Sequence, residues 1–170
     1  LSTRRQRQMC IRDSKYTFPN ESLFSDDSHC ERESKVFLDL LNNNGITTTV
    51  SFGSVHVNSV EYLFREAHNR NMCVIAGNVL MDRNAPVTVL EKADKSYLNS
   101  KEIIDRWHNV GRCKYAITPR FAITSTPELM EVSQSLIEEN NSCYIQTHLS
   151  ENIDEIKTCL LYTSDAADEW

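Results

Sequence analysis

Residues 113–128, CKYAITPRFAITSTPE, contain a strand, a loop and a helix start in one run. The first nine residues, 113–121, are mostly apolar and long enough for a buried strand. Thr126, Pro127 and Glu128 then supply a cap residue, a proline at the first helical position and an early carboxylate. The stretch is therefore predicted to form one βα unit.

The same order repeats on both sides of this unit. Further strands are predicted at 46–55, 73–80 and 143–148, and further helices at 31–43, 58–70 and 95–109, with a loop at 17–27 (TFPNESLFSDD). Strands that alternate with amphipathic helices indicate right-handed βαβ units and a parallel sheet. A doubly wound sheet would usually carry a GxGxxG turn, which the sequence lacks. The predicted class is therefore α/β, as a partial (β/α)8 TIM-type barrel of about four βα units.

Composition excludes several functional classes. The chain has 170 residues and a net charge of −6, with no basic stripe, which argues against a nucleic-acid partner. No apolar run is long enough to cross a bilayer, and no charged-then-apolar leader opens the chain, so no membrane partner is expected. Three of the six cysteines open predicted strands and none has CxxC spacing. Free buried thiols and a cytoplasmic location are therefore predicted.

The two ends differ from the middle of the chain. RRQRQMCIRDS near the start has neither helical nor strand period, and CLLYTSDAADE begins where a helix should continue. Both resemble translated sequencing adapters. We therefore expect non-native segments at 1–14 and 159–170, around a barrel domain at 15–158.

The stretch 142–156, SCYIQTHLSENIDEI, ends a predicted strand on His148 and places Glu151 three residues later. At the mouth of a barrel, an imidazole is a plausible zinc ligand, and a glutamate in the next turn can reach a metal-bound water as a proton shuttle. The alternative is a structural histidine beside a helix N-terminal glutamate. Asn152 and Glu155 further resemble a capping box.

Other polar or aromatic residues also fall at predicted strand ends. Arg120 offers a guanidinium fork suited to a planar, carbonyl-bearing substrate, and Phe121 offers a surface for a ring. Their alternatives are a salt bridge in the loop layer and simple packing. His56 either touches the pocket or braces a loop, and Asp82 is expected to organise its own loop rather than to take part in catalysis.

Four stretches together closely resemble the guanine deaminases of the amidohydrolase superfamily, particularly the bacterial ones. They are NGITTTVSFGSVH, MCVIAGNVLMDRNAP, GRCKYAITPRFAITSTPELM and YIQTHLSENIDEI. The resemblance runs from about residue 15 to 158. TPRF followed by THLSENxDE is its most specific part.

The resemblance implies zinc-dependent hydrolysis of guanine to xanthine and ammonia, with one zinc ion per full-length subunit and a homodimer. It implies His148 as the zinc ligand of the fifth barrel strand and Glu151 as the general acid/base. Arg120 and Phe121 match the pair that holds the purine. The predicted strands would then be the second to the fifth of the barrel.

The sequence also departs from the family pattern. It contains no HxH, and it stops before the sixth and eighth strands, so His148 is one zinc ligand of four. The 170-residue chain itself is therefore expected to be inactive and to associate through apolar strand edges. Two alternatives remain open: a related amidohydrolase that deaminates another ring, such as a pterin, a cytosine-like base or a triazine, and a non-catalytic α/β binding module.

Overall fold

The computed structural model describes residues 13–150, 153 and 155–157, so the predicted non-native ends lie outside it except at positions 13 and 14. The helices in this part are α1 Phe18–Ser22, α2 Asp27–Asn43, α3 Val57–Asn69, α4 Ala93–Trp107 and α5 Pro127–Glu139. The strands are β1 Thr48–Phe52, β2 Cys73–Gly77, β3 Val79–Leu80, β4 Cys113–Pro119 and β5 Tyr144–Ile145.

All strand pairs in the described residues are parallel. β1 pairs with β2, both β2 and β3 pair with β4, and β5 pairs with the other side of β4. β2 and β3 keep one register against β4, so they are one strand line interrupted at Asn78. Four strand lines thus lie side by side in chain order, with their carboxyl ends on one rim. The predicted α/β class and its parallel strands are confirmed.

The sheet curls strongly toward its inner face. The side-chain Nε2 of Gln146, just after β5, donates to the Ser51 carbonyl oxygen on β1 at 3.0 Å, although two strand lines separate β1 from β5. The Phe52 ring, at the end of β1, lies 4.4 Å from the His148 ring, centroid to centroid. These contacts join the two outer strands at the rim, as the curvature of a partial barrel requires.

The core lies between the sheet and the helices. It contains Leu38, Phe64, Ile103, Ile117 and Leu136, which are all buried. A polar group in this layer is satisfied internally, since the Tyr115 hydroxyl donates to the Asn78 side chain, which also bonds Ser100. No described helix is long and apolar enough to span a membrane.

Helix starts follow local capping chemistry. The Asp26 side chain accepts from the backbone N–H groups of Ser28 and His29, so α2 begins at Asp27, four residues earlier than the predicted start at 31. Asn58, the first residue of the helix predicted at 58–70, donates to the Asp27 carboxylate at 2.5 Å, and His56 occupies the cap position of α3. The start of α5 is as predicted, because the Thr126 hydroxyl accepts from Leu129 N–H.

Two further predictions were wrong in extent. The segment 17–27, predicted as a loop, is mostly helical, because Pro19 falls in the first turn of α1, where its missing N–H costs nothing. The strand predicted at 143–148 is regular only over β5. The backbone N–H groups of Gln146 and His148 still bond to Ile117 and Arg120 carbonyls, so the chain stays extended with an irregular ladder.

Candidate functional site

His148 lies on the rim immediately after β5, held by the backbone of the neighbouring loop. Its N–H donates to the Arg120 carbonyl oxygen at 2.9 Å, and its ring Nδ1 lies 3.1 Å from the same oxygen. Because a carbonyl oxygen only accepts, Nδ1 carries a proton, and in the neutral tautomer with that proton the lone pair is on Nε2. Metal-binding histidines are usually fixed in this way, and the half-buried His148 fits a metal ligand.

Arg120 lies at the same rim, and its side chain is largely buried. The guanidinium carbon is 5.1 Å from the centre of the Phe18 ring, and Nη1 is 3.7 Å from the Glu21 carboxylate. Nη1 also approaches the Met81 sulfur at 3.5 Å. The structure therefore brings Arg120 and His148 together through the Arg120 backbone, while the guanidinium faces the 17–24 segment.

Phe121 lines a cavity of about 450 Å³ between the loops that follow β4 and β5. His148 and Glu155 line the same cavity. The Phe121 ring thus shares a cavity with the predicted metal ligand. The Arg120 guanidinium instead lies against Phe18 and near Glu21, and Arg120 is not among the described residues that line this cavity.

A second cavity, of about 540 Å³, lies on the β1 side of the rim. Segment 17–24, α2 and the end of β1 line it, and its walls include Glu21 and Phe52. Its lining is mostly apolar. Because the Phe52 ring also contacts His148, this cavity adjoins the same part of the rim.

Two residues of the loop after β3 form hydrogen bonds with the loop that carries Arg120. The Asp82 carboxylate accepts from both the backbone N–H, at 2.9 Å, and the hydroxyl of Thr126. The Arg83 guanidinium donates to the Ala122 and Ile123 carbonyl oxygens at 2.9 and 3.1 Å. The geometry gives Asp82 the loop-organising contacts that the sequence predicts.

His56 lines neither cavity. It lies at the cap position of α3, and its Nε2 is buried without a hydrogen-bond partner among the described residues. Burial lowers the pKa of this imidazole more than the Thr88 backbone raises it. A neutral ring packed against the 81–91 loop corresponds to the loop-bracing alternative.

Glu151, the predicted general acid/base, lies outside the described residues. Nearby Glu155 is a buried carboxylate. The sequence predicts it only as the capping partner of Asn152, and Asn152 lies outside the described residues. Glu155 accepts from Ser150 N–H at 3.0 Å. The capping-box spacing predicts a structural role for Glu155 at a helix start. Nothing in the sequence predicts that Glu155 lines the cavity of about 450 Å³.

The described residues hold no group of three His, Cys, Asp or Glu side chains close enough to bind one metal ion. His148 therefore contributes a single imidazole in this part of the chain. A zinc site needs three or four protein ligands.

Comparison with known proteins identifies similar chains. Residues 18–165 match the amidohydrolase family model. Guanine deaminase of Escherichia coli is 50% identical over 143 residues, which cover 84% of this chain and 33% of that protein. The solved guanine deaminase of Bradyrhizobium japonicum superposes with a TM-score of 0.85 at 40% identity, over 89% of this chain and 33% of that one.

Guanine deaminase from C. acetobutylicum, solved with guanine bound in its active site, has a TM-score of 0.83 at 29% identity, over 89% of this chain and 36% of that one. More distantly, the zinc complex of atrazine chlorohydrolase from Arthrobacter aurescens shares the fold, at 21% identity and a TM-score of 0.65, over 79% of this chain and 32% of that one. The chain spans about a third of the length of the curated relatives it matches.

Proposed function

The chain belongs to the amidohydrolase family, and on that premise we propose that the whole protein is a zinc-dependent guanine deaminase that hydrolyses guanine to xanthine and ammonia. The observation that carries the proposal is the 50% identity to the Escherichia coli enzyme over 143 residues. The rim geometry supports it, because a histidine whose Nδ1 bonds to a backbone carbonyl, an arginine and a phenylalanine all lie at the carboxyl ends of parallel strands.

We assign His148 as a zinc ligand, through Nε2, because its Nδ1–H is committed to the Arg120 carbonyl oxygen. When bound, zinc supplies an activated water and a Lewis acid. The described residues hold no group of three potential metal ligands, so the site is incomplete in the part of the chain that the structure describes. The 170-residue chain is accordingly proposed to be inactive by itself.

The other assignments concern proton transfer and substrate binding. Glu151 is proposed to take a proton from the attacking water and to deliver it to the ring and the leaving amine. Arg120 is proposed to donate to the carbonyl group of the purine, and Phe121 to pack against its ring. The bond broken is the exocyclic C–N bond of the amidine, and ammonia leaves.

The test uses the full-length protein. We expect zinc-dependent ammonia release from guanine, faster than from pterin or cytosine. Glu151→Gln should lower turnover about 10²–10⁴-fold while zinc content stays near normal, because the glutamate moves protons and does not hold the metal. His148→Ala should instead lower zinc occupancy. A preference for another ring, or near-normal turnover of the glutamine variant, would contradict the proposal.

We further propose a cytoplasmic homodimer with a native domain at 15–158. The free thiols of Cys30, Cys73, Cys113 and Cys143 support a reducing compartment. Sedimentation of the full-length protein tests the dimer. Recovery of the uninterrupted gene tests the ends, and an HxH pair encoded upstream of residue 15 would support both the enzyme and the predicted boundary.

A further inference from the structure

The segment 17–24 is anchored to the rim of the sheet by two separate contacts. The Phe18 ring packs against a buried apolar cluster, formed by Val55, Val79, Met81 and Val89. The Ser22 hydroxyl bonds to the Thr88 hydroxyl at 2.8 Å, in the loop that follows β3. The segment is therefore a fixed part of the rim, although its sequence predicts only a polar loop.

This segment presents a carboxylate to the candidate substrate-binding arginine. The Glu21 Oε2 atom lies 3.7 Å from Arg120 Nη1, and the two side chains are only 13% and 14% exposed. The Phe18 ring lies against the guanidinium carbon, 5.1 Å from the ring centre. An ion pair in so little solvent is sensitive to the loss of either partner, because the remaining charge is left partly desolvated.

Glu21 also lies at a cavity on the β1 side of the rim. It lines the cavity of about 540 Å³ together with Phe52, whose ring contacts His148 at 4.4 Å. The carboxylate, the guanidinium and the predicted metal ligand thus lie around one section of the rim.

We infer that Glu21 is a positioning residue that acts through Arg120 and favours neutral, carbonyl-bearing rings over anionic ones. The inference rests on the proposed function. A carboxylate beside one guanidinium nitrogen holds the fork in one orientation, from which it would donate to a ring carbonyl. Because the pair is close to neutral overall, a substrate gains hydrogen bonds without needing a negative charge, whereas a lone arginine would attract anions.

The test measures steady-state kinetics of ammonia release from guanine by the full-length protein. Glu21→Gln should raise KM about tenfold and change kcat by less than about threefold, because Arg120, which mainly binds substrate, loses the carboxylate that holds its guanidinium. Glu21→Asp keeps the charge with a shorter reach, so an intermediate KM is expected. Glu31→Gln is the matched control, since it breaks an exposed pair with Lys35 at 2.7 Å on the outer face of α2.

A double-mutant cycle with Arg120→Gln separates this role from a merely structural one. If Glu21 acts through Arg120, Glu21→Gln should add little to the KM already raised by Arg120→Gln. Additive effects, or an unchanged KM in Glu21→Gln, would overturn the inference. If thermal unfolding shows that Glu21→Gln does not fold, the KM of Glu21→Asp is the test. A wild-type KM in Glu21→Asp would then overturn the inference. Absence of guanine turnover in the wild-type protein would instead refute the proposed function, and the inference with it.

Discussion

Strands β4 and β5 pair in one parallel sheet, yet their side chains are buried to very different degrees. Ile117 on β4 is 1% exposed, whereas its register partner Ile145 on β5 is 56% exposed. β1, at the opposite edge, resembles β5, since Val50 is 62% exposed. Parallel strands are apolar on both faces and need neighbours on both sides. The comparison shows that the burial of a side chain in this sheet depends more on whether its strand has neighbours on both sides than on the residue type.

The largest expected effect tests how tightly the central strands are packed. A Cβ atom at Gly77 would lie 1.7 Å from the Ala116 carbonyl oxygen of β4, so Gly77→Ala must push β2 away from β4. We expect loss of cooperative urea unfolding in the 170-residue chain, since single-residue effects above about 4–5 kcal/mol reach the lower end of the usual stability of about 5–15 kcal/mol. Gly45→Ala is the control: its Cβ meets nothing within 4 Å, and only its φ of +75° is unfavourable. Similar unfolding curves for both variants would show that the strands separate easily.

The second prediction compares the register partners directly. Ile117→Ala should reduce the free energy of unfolding by about 2–5 kcal/mol, because it removes buried methyl groups and leaves a cavity. Ile145→Ala should cost less than about 1 kcal/mol in the same chain, because its side chain is half exposed. Urea unfolding followed by circular dichroism measures both. Equal costs would mean that β5 is covered in solution, for example by the self-association expected from its exposed edge.

Sequence reasoning predicted the central unit better than the edges. The strand, the rim residues and the α5 start in 113–128 appear where expected, because the alternation, the cap and the proline are all local signals. Only β5 is regular within the strand predicted at 143–148. A regular strand requires hydrogen bonds to a neighbouring strand, and the residue types alone do not determine those bonds. The 17–27 segment was misread for a similar reason. Its helical turns are stabilised by Phe18 and Ser22 contacts to residues far along the chain.

The residues of the candidate site also differ in how well the sequence predicts their positions. Arg120 and His148 were predictable because parallel strands place their carboxyl ends on one rim. Their immediate partners were not, since Glu21 lies about 100 residues from Arg120 and Phe52 about as far from His148. No periodicity links positions so far apart.

The third prediction concerns the loops at the rim of β4. Asp82→Ala removes two hydrogen bonds to Thr126 and should lower stability by about 1–2 kcal/mol, because a helix cap and a partly buried N–H lose their acceptor. Asp105→Ala, at an exposed position on α4, is the matched control and should be neutral or slightly stabilising. Thermal unfolding measures both variants. Equal effects would mean that the β3 loop does not hold the β4 loop.

The smallest expected effect is a pH dependence at the amino end of β4. His108 Nδ1 accepts from the Tyr115 N–H at 3.0 Å, and Nε2 lies 3.1 Å from the Ser142 hydroxyl, so the ring joins β4 to the segment before β5. Burial, and then the charge of Lys114, lower the pKa of this imidazole below its ordinary value of 6.5.

The sign of the effect follows from proton binding. With a lowered pKa in the folded state, the unfolded chain binds the proton first, so the contribution of His108 to stability is full above pH 6.5 and is lost as the pH falls below it. A proton on Nδ1 would also abolish its bond with Tyr115. His108→Gln should therefore flatten, though not remove, the decline in urea-unfolding free energy below pH 6.5, because burial lowers the pKa of His56 as well. An unaltered slope in the His108 variant would show that the contact between β4 and the segment before β5 does not depend on a neutral imidazole.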